Sequence, residues 1–134
     1  MPPKPAGFSI DADIRPPHHR GGLRAVVADD DPGQRDELAG HLTARGFTVS
    51  KVCSGFEALN IIGAEDPAVA LLRRHLPEDE GDRAAALACM LYPLTRIILI
   101  VSQPDAQPDN SPVTLLTRPV DLALLDRCLE RLAL

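Results

Sequence analysis

Three consecutive carboxylates and a proline, Asp29-Asp30-Asp31-Pro32, directly follow the short apolar run 23–28. Carboxylates gathered at the end of a strand can hold a hard divalent cation such as Mg2+, which takes oxygen ligands. Asp31 and Pro32 also suit a helix start, as an N-cap followed by a helix-opening proline. That role explains Asp31 fully, and Asp29 and Asp30 poorly, since both precede the helix. Arginines Arg73, Arg74, Arg96 and Arg118 supply guanidinium forks that could take an anionic ligand such as a cyclic dinucleotide. Scattered surface arginines are the better-supported reading, because no nucleotide-binding motif is present. No glycine-rich phosphate loop follows the first apolar run, and the carboxylates there would repel phosphate, which argues against a dinucleotide or flavin enzyme.

The elements that must position these groups come from a chain of 134 residues, the size of one domain with a real core. It is 45% hydrophobic but only 3% aromatic with no Trp, so Leu, Ile, Val and Ala must build that core. A net charge of −5 speaks against DNA binding or an anionic membrane surface, either of which needs a basic patch. No stretch approaches the roughly 20 apolar residues that span a bilayer, and residues 1–10 lack the apolar run of a secretory signal. The expected location is cytoplasmic. Cys53, Cys89 and Cys128 lie far apart with no CxxC pair, and read as small buried apolar residues in a reducing compartment.

Residues 1–22 carry five prolines and few large apolar groups, which predicts a flexible tail or linker ahead of one domain over 23–134. Adjacent His18 and His19 lack further ligands at a suitable spacing, so they suggest solvated linker and not a metal site. From residue 23 short apolar runs alternate with amphipathic segments, the pattern of βαβ units around a parallel sheet. A strand over 23–28 leads to a helix capped by Asp31 and stopped near Gly46. A strand over 47–52 leads to a helix opened by the capping-box spacing Ser54-x-x-Glu57. The wholly apolar run 68–72 predicts a third strand, the alanine-rich 83–91 a third helix, and 97–101 a fourth strand. Prolines 104, 108 and 112 argue against a helix over 103–112. A fifth strand over 113–117 and a helix capped by Asp121, with Leu122, Leu125, Leu129 and Leu132 on one stripe, complete the order.

In an open parallel sheet, sites form at the C-terminal ends of strands. There, VVADDDP (residues 26–32) resembles the first-strand ending of response-regulator receiver domains, and LLTRP (residues 115–119) is similar to their fifth-strand Thr-Lys-Pro, with Arg118 in the lysine position. Ser102 falls where the family carries a Thr or Ser that hydrogen-bonds the phosphoryl oxygens. The resemblance covers residues 23–134. It implies a flavodoxin-like (βα)5 doubly wound sheet with strand order 2-1-3-4-5, the family's fourth helix being missing or replaced by the proline-rich 103–112 segment. It implies Asp29 and Asp30 as metal ligands, and histidine kinases, phosphotransferases or other receivers as partners, with a homodimer open.

The same resemblance exposes a loss. Counting back from Pro77 in ALLRRHLP (residues 70–77) puts Arg73 where the family carries its phosphoryl-accepting aspartate. A guanidinium has no lone pair for attack and stays protonated, so Arg73 cannot form an acyl phosphate. It also removes a Mg2+ ligand, so metal binding is expected to be weak or lost and no cofactor is expected. Either its cation pairs with Asp29 or Asp30, relieving their repulsion, or it points to solvent. Leu115 occupies the position of the family's switching aromatic. The expectation is a non-enzymatic pseudo-receiver acting by protein–protein interaction in two-component signalling. Alternatives are a phosphoryl-accepting receiver using Glu78, Asp79 or Glu80, and the anionic-ligand sensor built on the four arginines.

Overall fold

The computed structural model describes residues 23–76, 80–102, 113–132 and 134. Its elements are β1 (Leu23–Ala28), α1 (Pro32–Ala44), β2 (Phe47–Val52), α2 (Gly55–Glu65), β3 (Val69–Arg73), α3 (Glu80–Leu91), β4 (Arg96–Val101), β5 (Val113–Thr117) and α4 (Leu122–Arg131). The five strands form one parallel sheet in the order β2-β1-β3-β4-β5, the doubly wound arrangement the sequence implies.

Strand alternation divides the core in two. Ala25, Val27, Leu71, Ile98 and Ile100 face α1 and α4, whereas Val26, Ala28, Ala70, Leu72 and Leu99 face α2 and α3. Residues 25–28 of β1, 69–72 of β3 and 97–101 of β4 are buried on both sides, which is why they read as continuous apolar runs.

The caps explain where the helices start. The Asp31 carboxylate accepts from the Gly33 N–H at 3.1 Å, and Pro32 opens α1 with its missing donor at no cost. Gly46, at φ +101°, takes the left-handed conformation that ends the turn after α1. At α2, the Ser54 hydroxyl accepts from Glu57 N–H at 3.1 Å, while the Glu57 carboxylate reaches back to Cys53 N–H, also at 3.1 Å. The reciprocal bond of the capping box thus lands one residue before the cap.

Three boundaries differ from the sequence expectation. β3 begins and ends one residue later, at Val69 and Arg73, because its ladder with β4 extends to the pair Arg73 and Ile100. β4 includes Arg96, whose N–H donates to the Ala68 carbonyl at 2.9 Å. α3 starts at Glu80, three residues early, since Glu80 and Asp82 in its first turn complement the helix dipole. Of the cysteines, Cys128 is buried and Cys89 half-buried, but Cys53 is exposed beside the start of α2. No helix among the described residues is long and apolar enough to cross a membrane. The expected tail over 1–22 and helix-free link over 103–112 lie outside the described residues.

Candidate functional site

The C-terminal edge of the sheet gathers Asp29, Arg73, Ser102 and Arg118 from the ends of β1, β3, β4 and β5. Because β1 and β3 run in register, with Ala28 level with Leu72, the next residues Asp29 and Arg73 are level as well. Side-chain alternation then turns both toward the α1 side, where Val27 and Leu71 already point.

Asp29 is fully buried. Its N–H extends the sheet ladder to the Val52 carbonyl at 3.1 Å, and its Oδ1 accepts from Asp31 N–H at 2.9 Å. Arg73 Nη1 donates to Asp30 Oδ1 at 2.7 Å and lies 3.4 Å from Asp29 Oδ1. Of the two orientations the sequence leaves open, the arginine therefore takes the paired one. A buried carboxylate without a compensating charge costs several kcal/mol, on the order of 3–5 when its partner is removed, so the position of this guanidinium is consequential. Two polar atoms at the centre remain unsatisfied: buried Asp29 Oδ2 and Arg73 Nε have no hydrogen-bond partner.

Two further arginines complete the cluster. Arg118 Nη2 donates to Asp31 Oδ2 at 3.3 Å, tying the end of β5 to the cap of α1. Arg35, one turn into α1, donates from Nη1 to the Asp29 carbonyl at 3.0 Å. Sequence reasoning missed Arg35: in a helix's first turn nothing in the sequence distinguishes this half-buried residue from a solvated cation. Three carboxylates and three guanidinium groups interleave in this cluster, leaving it close to neutral.

The donor set does not fit Mg2+. A hard cation of near-octahedral preference needs oxygen ligands, and here two carboxylates share their inward oxygens with a guanidinium that carries the positive charge itself. No group of three or more Asp, Glu, His or Cys residues that could hold a metal occurs among the described residues.

Other sequence candidates fall elsewhere. Arg74 turns to α3, where its Nε donates to Asp82 at 3.1 Å. Arg96 stands at the start of β4, level with Val69, so it lies at the opposite edge of the sheet and cannot join Arg73 and Arg118 in one ligand site. Ser102 is exposed and lines a shallow depression with Gln34, Arg118 and Pro119. Glu80 is engaged at the start of α2, its Oε1 accepting from Phe56 N–H at 3.2 Å. Glu78 and Asp79 lie outside the described residues. Leu115 is half-buried and packs on the α2 and α3 side of the sheet.

No protein-family model matches the sequence, and no curated protein matches it either. Solved structures do. The signal receiver domain of an HD domain-containing protein from Pseudomonas fluorescens superposes with a TM-score of 0.74 at 19% identity, over 84% of this chain and 94% of that one. The receiver domain of the putative response regulator NarL from Mycobacterium tuberculosis gives 0.69 at 24% identity, over 84% and 97%. The response regulator TrrA from Thermotoga maritima, solved with Mg2+ and beryllofluoride, gives 0.73 at 21% identity, over 82% and 98%. The parallel sheet in the order β2-β1-β3-β4-β5, with acidic and basic side chains converging at its C-terminal edge, is therefore the receiver-domain fold of response regulators.

Proposed function

We propose that this chain is a phosphorylation-independent pseudo-receiver of two-component signalling, which acts by protein–protein interaction. The single observation that carries the reading is Arg73 at the end of β3, with Nη1 at 2.7 Å from Asp30 and 3.4 Å from Asp29. At that position a receiver needs a nucleophilic carboxylate, and a guanidinium can neither attack phosphorus nor ligate a cation. The tethered cation stands in for the Mg2+ that would otherwise offset the repulsion between Asp29 and Asp30. Partners in this reading are a histidine kinase, a phosphotransferase or another receiver, met in the cytoplasm and with no contribution from DNA. Pairing of Arg73, Arg74 and Arg118 with carboxylates weighs against an anionic-ligand sensor.

Amide NMR titration with Mg2+, followed by beryllofluoride as a phosphoryl mimic, tests the proposal. The expected result is no saturable shift at Asp29, Asp30 or Ser102. Saturable shifts there would mean that receiver chemistry persists and the reading fails. The Arg73→Asp variant is the positive control, expected to gain Mg2+ affinity by restoring a third carboxylate.

A further inference from the structure

We draw no further inference here: the strongest candidate, the apolar groove between α2 and α3 lined by Phe56, Leu59, Ala84 and Leu87, carries nothing, because nothing in the structure shows what covers it.

Discussion

The two faces of the sheet solve the same packing problem with opposite materials. Under α1 and α4 the filling is large: Leu38, Leu42, Leu125 and Leu129 are all 0% exposed. The two helices are also clasped across their outer surface, where Asp126 on α4 accepts from His41 at 2.7 Å and Arg45 at 3.0 Å. Under α2 and α3 the helices bury mostly small residues, Gly55, Ala58, Gly81, Ala84, Ala85 and Ala88, with Ile62 the one large exception, and they come so close that a Cβ on Gly55 would run into the Glu80 backbone. The difference teaches that burial and side-chain size are separate choices. Small residues bring helices onto the sheet and leave the large ones free to face outward.

The largest effect should separate the two faces directly. Leu125→Ala empties a fully buried site between α4 and the sheet and should cost about 2–5 kcal/mol in urea unfolding, because the surroundings relax only partly around the cavity. Met90→Ala on the outer face of α3, where the side chain is 74% exposed, should stay within about 0.5 kcal/mol. Equal losses at the two sites would mean that Met90 contributes to the core, and the contrast between the faces would collapse.

A smaller effect probes the closeness of α3. At Gly81 a Cβ would meet the carbonyl oxygens of Arg73 and Arg74, both backbone atoms that cannot swing aside. Gly81→Ala should therefore cost about 1–3 kcal/mol, the range for overpacking. Since the strain falls on the end of β3, the Arg73 and Arg74 amide resonances should move more than those of α4. A neutral Gly81→Ala would show that α3 has room to withdraw, so small residues would not be what holds it down.

Much of this was legible in the residues, and the exceptions share a cause. The strands could be read because the stretches 25–28, 69–72 and 97–101 of β1, β3 and β4 are buried on both sides and wholly apolar. Helix starts could be read at Asp31, Ser54 and Asp121, where a side-chain oxygen caps backbone N–H groups. Strand-end chemistry placed Asp29, Arg73 and Arg118 at one edge. The partners of those groups were hidden: neither the contact of Arg35 with the Asp29 carbonyl nor that of Arg118 with Asp31 leaves a periodicity or spacing signal. Arg96 was misgrouped for the same reason, since a list of arginines does not say at which end of a strand each one stands. The outward placement of Leu87, Met90 and Leu91 on α3 was also missed, because alanines score as helix formers whichever way they face.

The smallest effect concerns the clasp on the α1 and α4 side, and it is read through pH. The Asp126 carboxyl is held below its ordinary value chiefly by the hydrogen bond from His41, with the charges of His41 and Arg45 adding to it and partial burial opposing. A carboxyl that is more acidic folded than unfolded stabilises the fold above the ordinary carboxylate value of about 3.9, and that stability is lost as pH falls through the folded value. Asp126→Asn should therefore flatten the acid limb of the stability curve below about pH 4. At neutral pH the cost should stay under about 1 kcal/mol, because the pair is partly solvated. The matching test on the other face is Asp82→Asn, which breaks the bond to Arg74 on the α2 and α3 side. At neutral pH its cost should be smaller still, since Asp82 is more than half exposed, with 54% of its side chain in solvent. If Asp82→Asn cost as much stability at neutral pH as Asp126→Asn, the clasp would be one surface ion pair among several, and the α1 and α4 face would be distinguished by its leucines alone.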